Sequence, residues 1–411
     1  MSADLSELEA KLHSFLADPN ARADPYPFYH EIRKVDPVHE AADGTWWVTN
    51  YDGCLSLLRD RTWSHQNPAA NSTPAPSMRP PGRARTMISR MLLFRDAPDH
   101  TRLRSLLGRV FSRPSAERKR PAFRAHIDEL LNKLVPGTVF EFREEIARLI
   151  PLHMICDVIG LPQERYADLI TWTNSYASML GVDIPEDVER QADLHFAEFS
   201  DYIAPIVGAR RVAPRDDLIS EWVAAQERGR LEPDEIASFC LFTLTGGQTT
   251  TTFLMANGLY TLLRFPEQWQ ALIKDPTLKT SAVEEILRFE SAGRALVPRW
   301  AKEDIELCGK RVPRGAMIIG IESAANRDPA YFPDPDRFDI RRQNNCHLSF
   351  GGGIHVCPGQ FVARVEAQEL FAALATRFPG VELAGEIEWV PDWIVRGLQR
   401  LPIRIGGSTV N

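Results

Sequence analysis

The stretch Phe350-Gly351-Gly352-Gly353-Ile354-His355-Val356-Cys357-Pro358-Gly359 sets a cysteine and a histidine among glycines, directly ahead of the helix-forming run "QFVARVEAQELFAALATRF". Cys357 therefore falls at or just before a helix N-terminus, where backbone N–H groups and the helix dipole favour a thiolate. Gly351, Gly353 and Gly359 allow a tight turn and the close approach of a flat ligand. A thiolate so placed could be a nucleophile, a redox thiol or a metal ligand; the competing reading is a buried small hydrophobe, the common fate of a free cysteine. A nucleophile needs a base, and His355, two residues away on an extended loop, tends to point to the other side. Cys54, Cys156, Cys240, Cys308 and Cys346 are scattered without a C-x-x-C pair, which suggests neither a disulfide framework nor a zinc site.

A second unusual stretch is "LTGGQTTTT" (244–252), inside an otherwise apolar helical run over 233–264. Glycine costs a helix interior about 1 kcal/mol relative to alanine, and β-branched residues add smaller penalties, so this composition serves something other than helix stability.

The elements that must position these residues are mostly helices. Apolar residues recur at helical spacing over 103–111 and near 123–134, 144–159, 164–182, 190–210, 266–274, 281–290 and 360–378. Strand-like alternation is confined to 45–50, 305–313, 316–321 and 401–405, which predicts a minor sheet region. The Pro-, Ser- and Asn-rich segment 66–86 reads as a long loop, and 326–353 as an irregular stretch delivering the chain to Cys357. There is no internal repeat and no clean linker, so residues 1–411 read as a single domain.

Phe350-Gly351-x-Gly353-x-His355-x-Cys357-x-Gly359 resembles the haem-binding loop of the cytochrome P-450 family in its soluble bacterial form. The resemblance extends from "DPYPFYHEIR" (24–33) to the end of the chain. It implies the cytochrome P-450 fold, mainly α with small β-sheets, a triangular helical prism enclosing haem b. Cys357 would be the axial thiolate to the haem iron, Phe350 would pack beside the sulfur, and Gly359 would close the loop. His100 and Arg104 in "HTRLR", Arg299 in "VPRWAKED" and His355 would bind the haem propionates; read alone, His100 and Arg104 are a solvated basic face. Glu285 and Arg288, read alone a surface ion pair worth less than about 0.5 kcal/mol, would be closed by Arg337 of "FPDPDRF" into a buried structural network.

By the same resemblance the 233–264 helix would cross the distal face of the haem. The family pattern falls on Thr245-Gly246-Gly247-Gln248-Thr249-Thr250, making Thr249 the hydroxyl that steers protons in an oxygen groove. A threonine hydroxyl bonding the preceding-turn carbonyl would open the helix there locally to water. Gln248 stands where the family has a carboxylate, and an amide orders water without shuttling protons. Substrate would face Thr245, Gly246, Arg294, Leu296, Val297, Trp393 and Ile394. Arg83, Arg85, Arg90 and Arg294 admit an anionic substrate, or simply face solvent.

These readings converge on a cytoplasmic haem-thiolate monooxygenase that hydroxylates or epoxidises a small-to-medium organic substrate in a biosynthetic or secondary-metabolite pathway. No reductase module is evident, so electrons from NAD(P)H would arrive through a separate ferredoxin and ferredoxin reductase, docking where Arg109, Arg113, Arg341 and Arg342 cluster. The alternatives are a peroxygenase or oxidative coupling enzyme, favoured by Gln248, and a non-catalytic haem-binding recruitment protein of the same fold. Lys and Arg number 48 against 55 Asp and Glu, a net charge of -7 that argues against nucleic-acid binding. No apolar run reaches the 18 or so residues of a membrane span.

Overall fold

A computed structural model describes residues 3–66, 82–108, 110–180, 184–232 and 235–406. Most of the expected helices are present, several with shifted ends: Arg113–Leu131, Leu149–Ile159, Tyr166–Ser178, Glu186–Val212, Glu235–Arg264, Pro266–Lys274, Lys279–Phe289 and Gln360–Arg377. The run 103–111 is not one of them, since helix Asp99–Arg104 ends there and the described residues beyond it are turns. Helices Tyr26–Val35, Tyr51–Arg59 and Leu218–Glu227 were not among those expected from periodicity. The segment 66–86 is not wholly a loop. Arg83–Ser89 is a helix, because Ala84, Met87 and Ile88 turn an apolar face into the interior, and the Asp193 carboxylate accepts from the Ala84 N–H at 2.7 Å. Residues 67–81 lie outside the described residues, as does Arg109.

The strands are short. Five make one mixed sheet in the order Val38–Glu40, Trp46–Val48, Met317–Gly320, Arg299–Ala301, Trp63–Ser64. The run 305–313 folds as a hairpin, Ile305–Leu307 against Lys310–Val312. Pro402–Arg404 pairs with Val139–Glu141 and with Glu382–Leu383. The sheet containing Arg299 thus brings a residue far from Cys357 in sequence to the same end of the molecule as the 63–65 segment, since Ser64 pairs with Trp300.

Helix Glu235–Arg264 runs unbroken for 30 residues, so the expected local opening does not occur. Its threonines spend their hydroxyls on the turn before: Thr243 donates to Phe239 O at 2.7 Å, Thr250 to Gly246 O at 3.2 Å and Thr252 to Gln248 O at 2.9 Å. Such bonds satisfy the hydroxyls without strengthening the helix, so the continuity of the run comes from the packing of its two ends. The two ends of the helix belong to different apolar cores. Phe239, Leu241 and Leu244 pack with Ile155, Leu107 and Trp222, whereas Leu254, Met255, Leu259 and Leu262 pack with Phe371, Leu370 and Ile286. The stretch 245–252 bridges the two cores and belongs to neither.

Candidate active site

Two residues in that bridge are exposed although they sit mid-way along a buried helix: Gly246 and Thr250, one turn apart on one face. A Cβ at Gly246 would meet nothing within 4 Å, so this face borders an internal cleft. Gly247 does a different job, since a Cβ there would lie 2.7 Å from Ile155 Cγ1; it lets helix Leu149–Ile159 pack closely. Gln248 is buried, with Nε2 3.5 Å from Thr252 Oγ1, and the half-buried Thr249 donates to Gln248 Oε1 at 3.1 Å. The expected register is therefore shifted by one residue. The hydroxyl on the face of the cleft belongs to Thr250, Thr249 takes the position preceding it, and Gln248 turns into the protein. Four consecutive threonines leave this phase undetermined until the helix is packed. In either register the residue ahead of the key threonine is not a carboxylate.

Cys357 lies just ahead of helix Gln360–Arg377, whose N-cap is Gly359. Its N–H donates to Phe350 O at 2.8 Å, closing the loop on itself. Gly353 has φ +62°, and a Cβ there would lie 2.1 Å from Leu58 O, so this turn accepts only glycine. Burial pushes the Cys357 thiol up, opposed by the Gly359 and Gln360 N–H groups and by the Arg104 and Arg364 guanidiniums. The helix terminus acts as expected but does not win. A thiolate at this position therefore needs a compensating positive charge, which a bound metal ion would supply. Phe350 is held by Arg364, whose guanidinium lies 4.4 Å from its ring centroid and pairs with Glu284 at 2.7 Å.

Around this loop, buried polar atoms converge without partners. His100 Nε2, His355 Nε2 and Arg299 Nε are buried and accept or donate no hydrogen bond within the chain. The His100 and His355 ring centroids are 4.1 Å apart. Arg299 is pushed down to about 9 by burial, and Arg104, on helix Asp99–Arg104, is close enough to Cys357 to feel its charge. A buried donor with nothing to bond costs about 1–3 kcal/mol, so a cluster of them marks the place of an acidic ligand. The donors and the sulfur fit a flat, iron-bearing ligand with two carboxylates. His65 joins the cluster unanticipated: its ring stacks on that of His355 at 3.4 Å between centroids. Its only signal in the sequence is a histidine in "TWSHQ", far from every motif.

The sequence of the matched region now decides the family. A cytochrome P450 family model matches residues 184–383, and the chain is 35% identical to the cytochrome P450 monooxygenase PikC of Streptomyces venezuelae over 93% of this chain and 91% of that protein. The chain belongs to the cytochrome P450 family. It is also 32% identical to the 6-deoxyerythronolide B hydroxylase of Saccharopolyspora erythraea, covering 95% of this chain and 98% of that one. A solved structure of P450BioI, in complex with an acyl carrier protein ligated to hexadec-9Z-enoic acid, superposes with a TM-score of 0.88 at 31% identity, covering 95% of this chain and all of that one. This P450 is accordingly a haem-thiolate monooxygenase, mainly helical with small sheets.

Several expected P450 site residues are placed elsewhere. Arg294 has no exposed surface, so it does not face solvent; its electrostatic neighbours are Tyr29, Arg396, Tyr26 and Glu290, and none of its three guanidinium nitrogens has a hydrogen-bond partner within the chain. Leu296 packs into the sheet core against Gly320, and Trp393 lies against Trp47, 5.7 Å between centroids. Val297 and Ile394 remain half-buried, and Ile394 O accepts from the Arg294 N–H at 2.8 Å. Thr245 is buried with its hydroxyl unpartnered. Glu285 and Arg288 form the expected pair, both fully buried, with two hydrogen bonds of 2.8 Å. The closing arginine is Arg342, not Arg337. Arg342 Nε lies 3.2 Å from both Glu285 oxygens, whereas the Arg337 side chain is 65% exposed and sits 3.5 Å from Asp339. Arg342 is thereby withdrawn from the expected surface cluster; Arg113 and Arg341 remain exposed. Among the described residues no helix is long and apolar enough to cross a membrane.

Proposed function

We propose that Cys357 is the proximal ligand of a haem whose carboxylates are held by His100, Arg104, Arg299 and His355, and that Gly246 and Thr250 form the oxygen-side wall. The observation that carries this reading is the convergence of unpartnered buried His100, His355 and Arg299 atoms beside the Cys357 loop. When bound, the haem supplies dioxygen activation and insertion of one oxygen atom into substrate. The chain's own contribution is positional. Glycines 351 and 353 turn the Cys357 loop tightly against Leu58, Arg364 and Phe350 fix the sulfur's surroundings, and Gly246 leaves room on the distal side. Thr250 Oγ1, held by Gly246 O, presents a hydroxyl that can accept and pass on a proton from ordered water. Thr249 and Gln248 bond each other and supply no acid, so water or substrate must bring the proton.

We further infer a cytoplasmic enzyme working as one haem domain, with electrons from NAD(P)H delivered by a ferredoxin and its reductase. Its substrate is a small-to-medium organic molecule of secondary metabolism, hydroxylated or epoxidised. Relatives such as the polyketide biosynthesis cytochrome P450 PksS of Bacillus subtilis and the mycinamicin IV hydroxylase/epoxidase of Micromonospora griseorubida support that class. A second reading, a peroxygenase, is favoured by one feature, the missing carboxylate before Thr250. Soret titration of a metabolite panel, then product analysis with either hydrogen peroxide or a surrogate ferredoxin system, tests both. Product with the ferredoxin system is expected; product with peroxide alone would establish the second reading.

A further inference from the structure

His65 is 8% exposed and follows strand Trp63–Ser64 at the edge of the mixed sheet, facing the haem-carboxylate donors from a side that no motif covers. Its ring stacks on His355. Its Nδ1 lies 3.4 Å from Asp96 Oδ1, an ion-pair distance without hydrogen-bond alignment, and its Nε2 is buried and unpartnered. Asp96 is itself fixed: it accepts from Ser64 Oγ at 2.5 Å and from the His65 backbone N–H at 3.1 Å, with Lys302 Nζ at 3.9 Å. These contacts hold the Asp96 carboxyl well below the usual range, so it is a permanent anion.

We propose that His65, oriented by Asp96, is a fifth residue binding the haem carboxylates, and that it binds as an imidazolium bridging Asp96 and one carboxylate. The inference rests on the haem reading above. The Asp96 charge 3.4 Å from Nδ1 favours a proton on that nitrogen, so a neutral imidazole would offer only a lone pair at Nε2, which repels a carboxylate. A doubly protonated ring donates both ways and balances the charge. Without that ligand, burial and the neighbouring Arg299 and His100 press His65 down to about 4, opposed by Asp96. An added carboxylate raises it, so haem binding takes up a proton. The contribution is full below the lower of the two values and fades as pH rises through the higher. His355, His100, Arg299, Asp96 and Lys302 are the charged or titratable groups around this ring and its anchor. Two imidazoles and a carboxylate with ligand atoms within 4.8 Å would also suit a divalent cation, but Arg299 beside them favours an anion.

The test is haem transfer from the holoenzyme to apomyoglobin over roughly pH 5 to pH 8, with elemental analysis and the reduction potential of the same samples. His65→Phe should release haem about ten-fold faster, the loss of one charge-assisted hydrogen bond, and should make the haem harder to reduce. His65→Gln, which keeps a donor but no titration, should hold haem better than His65→Phe and flatten the pH profile seen in the wild type. Asp96→Asn should weaken retention with His65 intact. Unchanged transfer rates and potential in His65→Phe, or a wild-type profile identical to that of His65→Gln, would overturn the proposal, as would a stoichiometric divalent ion in the holoenzyme. The carbon monoxide difference spectrum of each variant keeps this separate from the haem assignment: a thiolate signature throughout means that only the role of His65 is being judged.

Discussion

Alanine at Thr250 should cut the yield of product per electron pair about ten-fold, while alanine at Thr249 should change it less than two-fold, the scale of one catalytic hydrogen bond lost or kept. Thr250 shares the cleft face with Gly246, and its hydroxyl is already anchored on Gly246 O. Thr249 instead donates to the buried Gln248 amide. Gln248→Glu should leave coupling near the wild-type value, since that side chain faces Thr252 inside the protein. The measurement is NAD(P)H consumed against product formed with a surrogate ferredoxin system, using any substrate found by Soret titration. Uncoupling by Thr249→Ala with Thr250→Ala unaffected would restore the register read from the sequence.

The largest stability effect is expected at Glu285. Its carboxylate accepts from Arg288, Arg342, the Asp339 N–H at 3.0 Å and Asn345 Nδ2 at 3.0 Å. Glu285→Ala leaves the fully buried Arg288 without its counter-charge and frees the 337–345 segment, a loss of about 3–5 kcal/mol. Urea unfolding should show this as a large fall in midpoint, accompanied by poor haem content. Arg342→Ala should share much of the loss, and Arg337→Ala should stay within about 0.5 kcal/mol of the wild type. Equal effects at Arg337 and Arg342 would contradict the assignment of the network.

How far the sequence can be read depends on how local each constraint is. The Cys357 loop was legible because its glycines, its cysteine and the following helix lie within one contiguous stretch, and φ +62° at Gly353 is a demand only glycine meets. His100, Arg299 and His355 were found through resemblance to a family pattern, and the fold does bring them to one place. His65 was not found, because what links it to them is the pairing of Ser64 with Trp300, a contact between distant segments. The threonine register failed for a different reason. Four identical side chains carry no phase, and only packing of Gly247 on Ile155 fixes which of them meets the cleft. Arg337 and Arg342 both belong to one irregular segment, where no periodicity indicates which side chain turns inward.

Cysteine ligation joins all of these particulars, and it is directly observable. The reduced protein, loaded with haem and treated with carbon monoxide, should give a difference spectrum at the thiolate position, and Cys357→His should move it to the imidazole position while the fold is retained. A wild-type spectrum at the imidazole position, or a thiolate signature that survives Cys357→His, would contradict the account.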